Sequence, residues 1–288
     1  MPNGIIIIDK PADWTSMDVC AKMRGILREK RVGHGGTLDP MATGVLPVFV
    51  GQATRAVEFA ENGRKEYVAG LRLGLVTDTQ DVTGATAETH EAAVSWEMLA
   101  SVLPQFTGEI QQLPPMYSAI KINGRKLCDV ARKGGEVERK PRSITIYELE
   151  ILEQTGPADF TLRCVCSKGP YIRTLCHDIG RALGCGGCMA SLRRTMAAGF
   201  TLSQAVSLGD VQERGESLLL PTDRYFEKYP AYTIAAERQE KRCRNGNPVD
   251  APDCPDGTYR VYGRGGEFLC LSRAEGGVLT SIKNFFGA

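Results

Sequence analysis

Residues 4–9, GIIIID, set four isoleucines in succession and then run into Lys10-Pro11. An apolar run of that kind predicts a buried strand, and proline, having no amide proton, ends it. Thr15 and Asp18 stand at the T-x-x-D spacing of a capping box. Behind them Met17, Met23, Ile26 and Leu27 fall on one predicted helix face. Residues 45–50 form a second uncharged run and a second buried strand. Residues 54–60 suit a short helix, and 67–73, YVAGLRL, a strand of partly alternating polarity.

Downstream, 77–84, TDTQDVTG, is rich in turn formers, and Ser95 is placed to cap a helix over 95–103. MYSAIKINGRKL, 116–127, predicts a strand and then a tight turn at Asn123-Gly124. A short helix to Lys133 and strands near 144–152 and 160–166 follow. Residues 171–183, YIRTLCHDIGRAL, have helical spacing. Ile172, Leu175, Ile179 and Leu183 form the buried stripe, Tyr171 and Arg173 stand in the first turn, and Gly184 is the stop. DRYFEKYP, 223–230, reads as a connector, and short strands punctuated by DAPDCPDG and GRGGE come after it. The pattern predicts a larger α/β domain over 1–228 and a small β-rich module over 229–288. So short a module is expected to pack against the larger body.

Composition narrows the class. The 288 residues are 42% hydrophobic and 24% charged, the balance of a folded globular protein. The longest apolar runs fall far short of the roughly 20 residues a membrane helix needs, and the N-terminus lacks the succession of a signal peptide. A cytoplasmic protein is expected. Its ten cysteines are scattered, so reduced thiols are expected. Cys185 and Cys188 have the gap of a metal pair, but no second pair follows and the nearest histidine is His177, so no metal site is expected. Net charge is only +1, yet the basic residues are grouped. One group spans Lys22 to Arg31, a larger one Lys121 to Arg142, and two smaller ones are Arg193-Arg194 and Arg238 to Arg244. Such groups on one side would track a phosphate backbone; for any single group a solvated helix face is the alternative. Acidic residues gather elsewhere, around Asp78, Asp81, Glu88 and Glu91 and from Asp210 to Glu216.

The candidate chemistry sits in 33–55, GHGGTLDPMATGVLPVFVGQATR. Gly33, Gly35, Gly36 and Gly44 let the backbone bend or approach another molecule closely. Asp39 precedes Pro40, which pushes it out of the helical region toward a turn with its side chain projecting. A polar loop rooted on a buried strand can hold a catalytic group still.

This segment, with GGTLDPxATGVLPV intact, resembles the catalytic motif of the TruB-type tRNA pseudouridine synthases. The likeness extends from Lys10-Pro11 through Tyr67, MYSAIK and SKGPYIRTL to SLRR, and more loosely to a PUA-like RNA-binding end in DGTYRVY, GGEFLCLSR and VLTSIKNFF. The resemblance implies a mixed, largely antiparallel central sheet flanked by helices, the pseudouridine synthase fold. It implies isomerisation of a uridine in the T-loop of tRNA, position 55, with the T-arm as partner, no cofactor and a monomeric enzyme. By similarity Asp39 is the nucleophile, flanked by Tyr67 and Arg173. His34, Tyr171, Leu192, Lys10 and Lys168 contact the RNA or the flipped base. Family members commonly carry Thr where this chain has Pro170, which removes one backbone donor beside Tyr171.

The residue types suit the reaction without the family. A carboxylate can attack base or sugar and leave again, an arginine keeps it ionised and oriented, and an aromatic ring accepts an everted base. Whether the attack falls on uracil C6 or ribose C1′ is left open. The competing readings are a non-catalytic RNA-binding or RNA-folding protein, and a synthase of the same family acting on another RNA.

Overall fold

The computed structural model describes residues 1–122 and 124–286; the Asn123 half of the expected tight turn lies outside them. The chain runs β1 (Gly4–Lys10), α1 (Ser16–Leu27), β2 (Val32–His34), β3 (Thr43–Val50), α2 (Val57–Glu61), β4 (Lys65–Leu73) and the hairpin β5 (Leu75–Thr77) and β6 (Thr86–Thr89). Then come α3 (Trp96–Val102), β7 (Gly108–Gln112), the small hairpin β8 (Lys121–Ile122) and β9 (Arg125–Lys126), α4 (Leu127–Ala131), β10 (Arg142–Gln154), β11 (Asp159–Cys166) and α5 (Ile172–Ala182). β12 (Gly187–Ala197), β13 (Phe200–Thr201) and α6 (Leu208–Arg214) complete the larger part. The C-terminal part holds β14 (Ala231–Thr233), α7 (Glu237–Arg244), β15 (Val249–Asp250), β16 (Gly257–Tyr262), β17 (Phe268–Glu275) and β18 (Val278–Asn284).

The main sheet has the order β1-β3-β12-β4-β11-β10-β7, with β2 beside β3 and β13 beside β12. Every pairing is antiparallel except β12 with β3, where Arg193 and Arg194 face Thr43 and Gly44. The mixed, largely antiparallel sheet is thus as expected. The unexpected member is β12, eleven residues at its centre that carry SLRR and bridge β3 to β4.

α1 starts on the capping box: Asp18 N–H donates to Thr15 Oγ1 at 3.0 Å and Thr15 N–H to Asp18 at 2.9 Å. Its buried stripe is Val19, Cys20, Met23 and Leu27, packed on β1 and β3, whereas Met17 is 54% exposed. Position 17 lies roughly 100° around the helix from the centre of that stripe, so the sequence reading was wrong there. MYSAIK forms no strand: residues 116–119 are bends, and only the two-residue β8 follows. α5 lies on β12 and β4, and Arg173 in its first turn reaches Asp39.

The expected connector plants one residue in the core. Phe226 is 1% exposed and meets Phe59, Tyr225, Phe268 and Phe285 at centroid distances of 5.3, 5.0, 6.0 and 5.3 Å. It joins the five-stranded C-terminal sheet, β14-β16-β17-β18-β15, to the cluster around Ile5, Ile7 and Phe49. Among the described residues no helix is long and apolar enough to cross a membrane.

Candidate active site

Asp39 is fixed from both sides by backbone contacts of its neighbours. Leu38, 3% exposed, donates its N–H to Ser16 Oγ at 2.9 Å and accepts from the same hydroxyl at 3.2 Å. Pro40 C=O accepts from Asp13 N–H at 2.9 Å and from Lys10 Nζ at 3.1 Å. The start of α1 and the end of β1 therefore hold the loop. Gly36 has φ +119°, and a Cβ on Gly35 would stand 2.8 Å from Ala60 Cβ, so this bend needs both glycines.

Lys10 belongs to that clamp and not to an RNA-facing surface. It is fully buried, its ammonium group bound to the carbonyls of Pro11, Trp14 and Pro40. Burial lowers its pKa, against the opposing pull of Asp13 and Asp39. Three acceptors around one desolvated ammonium leave it no proton for a phosphate.

Arg173, in the first turn of α5, is the hub of the site. Its guanidinium approaches Asp39 side-on, Nε to Oδ2 at 2.9 Å and Nη2 to Oδ1 at 3.4 Å. It also donates to Thr79 C=O at 3.0 Å and Tyr117 C=O at 2.9 Å, and Asp81 Oδ2 lies 3.7 Å from Nε. The arginine side chain is 6% exposed and Asp81 7%, but Asp39 is 37% exposed. The cation and Asp81 are interior while the Asp39 carboxylate is partly open to solvent, the accessibility that a nucleophilic role would require.

That space is a cavity of about 720 Å³ lined by Asp39, Tyr67, Lys168, Tyr171, Arg173 and Leu192, together with Lys65, Asp81, Tyr117, Ser118 and Arg132. Six of the eight residues expected from sequence thus share one chamber; Lys10 and His34 do not line it. Tyr67 projects from β4 and is 7% exposed, and burial pushes its phenol up to about 12 although Arg194 pulls the other way. Lys168 stands exposed at the rim, donating to Asn62 Oδ1 at 2.6 Å. His34 ends β2, paired with Val48, and burial and Arg194 lower its pKa.

Pro170 does not loosen Tyr171. The Gln112 side chain, at the end of β7, accepts from Tyr171 N–H at 2.8 Å and donates to Tyr171 C=O at 3.1 Å. A single amide satisfies both backbone groups at the start of α5.

Two sequence readings need correction here. Arg194 is no phosphate contact: it is fully buried and donates to the carbonyls of Val45 at 2.7 Å and Gly36 at 3.0 Å, locking the glycine loop to β12. Its neighbour Arg193 pairs with Asp9 at 2.8 Å. Asp81 is not part of a remote acidic surface but stands beside Arg173. Thr79 Oγ1, Thr83 N–H and Thr83 Oγ1 all donate to its Oδ1, at 2.9, 2.9 and 2.5 Å. The threonines at 79 and 83 bracketing Asp81 were the available signal: hydroxyls two residues either side of a carboxylate fold around it in a turn. Gln112 and the Tyr117 carbonyl had no such signal.

Comparison with known proteins gives the family. Residues 24–172 match the model for the TruB family pseudouridylate synthase N-terminal domain, and 173–227 that for the tRNA pseudouridylate synthase B C-terminal domain. The chain is 42% identical over 267 residues to a protein named tRNA pseudouridine synthase B from Dechloromonas aromatica, covering 91% of this chain and 89% of that one. A namesake from Alkaliphilus oremlandii is 45% identical over 249 residues, covering 86% and 83%. Among solved structures, an H/ACA RNP bound to a substrate RNA containing 2′-deoxyuridine aligns with TM-score 0.73 and 26% identity, over 99% of this chain and 86% of that one. A Cbf5-Nop10-Gar1 complex aligns with TM-score 0.74 and 28% identity, over 99% and 85%. With an exposed carboxylate held by a buried arginine on the wall of its main cavity, and related to these proteins over nearly its whole length, the chain belongs to the TruB family of pseudouridylate synthases.

Proposed function

We propose that this protein isomerises the T-loop uridine of tRNA, position 55, to pseudouridine, with Asp39 as the nucleophile on a flipped-out base. The observation that carries this reading is the Asp39–Arg173 pair: an accessible carboxylate whose two oxygens face one buried guanidinium. An Asp39 oxygen bonds to uracil C6 or ribose C1′, the N1–C1′ bond breaks, and the uracil turns. C5 then bonds to C1′, its proton leaves to solvent, N1 gains a proton and the aspartate is released. Tyr67 offers a ring for the uracil; a phenol near 12 is only about 10⁻⁵ ionised at neutral pH, which suits stacking and hydrogen-bond donation over proton abstraction. Tyr171 and Leu192 bound the base from the other walls. Lys168 at the rim meets phosphate, and His34 on its glycine loop fills the gap the base leaves.

We further assign the catalytic domain to residues 1–228 and a PUA-like RNA-binding domain to 229–288, in a cytoplasmic monomer acting without cofactor. A purely RNA-binding protein would need positive charge and stacking surface, but not a buried arginine with three further partners, Thr79, Asp81 and Tyr117, holding it against one acid. Asp39→Asn is expected to bind tRNA within about threefold of the parent, because it keeps the shape and removes no phosphate contact. It should release no tritium from C5-labelled uridine in a T-loop transcript. Parental release by this variant would remove Asp39 from the mechanism.

A further inference from the structure

Between Gln112, where β7 ends, and Arg142, where β10 begins, the chain leaves the main sheet and carries the exposed cations Lys121, Arg125, Lys126, Arg132 and Lys133. Tyr117 stands at the root of this excursion and is tied to the body at both ends. Its carbonyl accepts from Arg173 Nη2 at 2.9 Å, and its phenol donates to Asp78 Oδ2 at 3.2 Å. Ser118, the next residue, faces the Tyr171 phenol and gives its carbonyl to Cys128 N–H at 3.0 Å, in α4. Asp78 is itself held: its Oδ1 accepts from Ala85 N–H at 2.8 Å, and a Cβ on Gly84 would run into that oxygen.

The two terminal nitrogens of Arg173 are thus gripped by carbonyls from separate stretches of chain. Nη1 donates to Thr79, the neighbour of Asp78, and Nη2 to Tyr117. Nη2 is also the nitrogen that reaches Asp39 Oδ1, at 3.4 Å. The phenol–Asp78 bond closes a ring, since Arg173 joins Thr79 to Tyr117 and the Tyr117 side chain returns to Asp78. Without that closure the two carbonyls are set independently, and the guanidinium between them is free to tilt from the carboxylate. A misplacement of about 1 Å at a reacting group can cost about 100-fold in rate. Partial burial and then Asp78 raise the pKa of the phenol, which keeps it a donor through the neutral range. We infer that Tyr117 is a positioning residue for the nucleophile: its hydroxyl, anchored on Asp78, fixes the carbonyl that aims Arg173 at Asp39. The inference rests on the proposed pseudouridine synthesis. Holding the cationic excursion in place for RNA is the other role open to this hydroxyl, and the two leave different kinetic marks.

The test is single-turnover C5-tritium release from T-loop transcripts by the full-length parent, Tyr117→Phe, Asp78→Ala and the double variant, over a range of enzyme concentrations. Each series yields a rate at saturation and a half-saturating concentration. Tyr117→Phe keeps the ring and the carbonyl and removes only the hydroxyl. It is expected to lower the saturating rate about 3-fold to 20-fold, up to the worth of one hydrogen bond to a charged acceptor, with half-saturation within about 2-fold of the parent. Asp78→Ala should be at least as slow, and adding Tyr117→Phe to it should change the rate by less than about 2-fold, because a bond already removed cannot be removed again. A parental saturating rate in Tyr117→Phe would overturn the inference while leaving the function standing. So would a raised half-saturating concentration at parental saturating rate, which would mark the RNA-holding role. A phenylalanine defect undiminished beside Asp78→Ala would also overturn it, by showing that the phenol acts on something other than Asp78. A parent that releases no tritium would overturn the function and the Tyr117 role together.

Discussion

Tyr67 shows how burial sets what a side chain can do. Below pH 10 its phenol is protonated in both the folded and the unfolded chain, so it adds no pH dependence. Its folded value of about 12 against the ordinary 10.0 means that, as pH rises between the two, the unfolded chain loses its proton first. Stability should therefore fall across that window, by up to about 2.7 kcal/mol from this one group. Tyr262, also raised to about 12, adds to the slope. Urea denaturation at pH 9 and pH 11.5 should show Tyr67→Phe losing markedly less stability over the interval than the parent. An identical loss in both would mean that the phenol is not desolvated in the folded protein. Arg173 illustrates the complementary point. The sequence placed it in the first turn of a helix, but its partners Asp39, Thr79, Asp81 and Tyr117 come from three separate stretches of chain.

Among the elements, β1, β3, β4, β11, α1 and α5 were legible because each has a one-sided or continuous apolar pattern that survives without knowledge of its neighbours. β12 was not. Its sequence, GCMASLRRTMA, puts two arginines where a central strand ordinarily has aliphatic residues. Those arginines are satisfied by a carboxylate of β1, a hydroxyl and a carbonyl of β3, and a carbonyl of the glycine loop. The strand and the active-site loop thus specify each other, which Gly44 makes testable. Its φ is +101°, and a Cβ there would stand 2.2 Å from the Arg194 carbonyl oxygen, at the one parallel pairing in the sheet. Gly44→Ala is expected to cost more than about 2 kcal/mol of stability, from strained backbone plus a backbone clash. It should slow catalysis too, because Asp39 hangs from the same strand. A variant with parental urea midpoint and parental rate would show that β3 and β12 part there without consequence.

For the molecule as a whole, the aromatic hub decides whether the C-terminal sheet is an appendage or part of the body. Phe226 contacts Phe59 on one side and Phe268 and Phe285 on the other, so the two parts share a core. Phe226→Ala is expected to destabilise by about 3–5 kcal/mol, the usual range for emptying a buried phenylalanine site. It should lower the urea midpoint of the whole chain in one transition. Separate transitions, with only the C-terminal signal shifted, would mean that the parts fold independently. Hydrophobic spacing, caps and turn residues by themselves determined β1, β3, β4, β11, α1 and α5, because those features act over a few residues, and the glycine loop declared its family through a resemblance of sequence. Only the tertiary structure decided that Lys10 and Arg194 are interior clamps, that Asp81 and Gln112 serve the site, and that Phe226 within 223–230 is core. A charged or polar side chain takes its role from whichever acceptors the fold brings to it, and those acceptors lie far away along the chain.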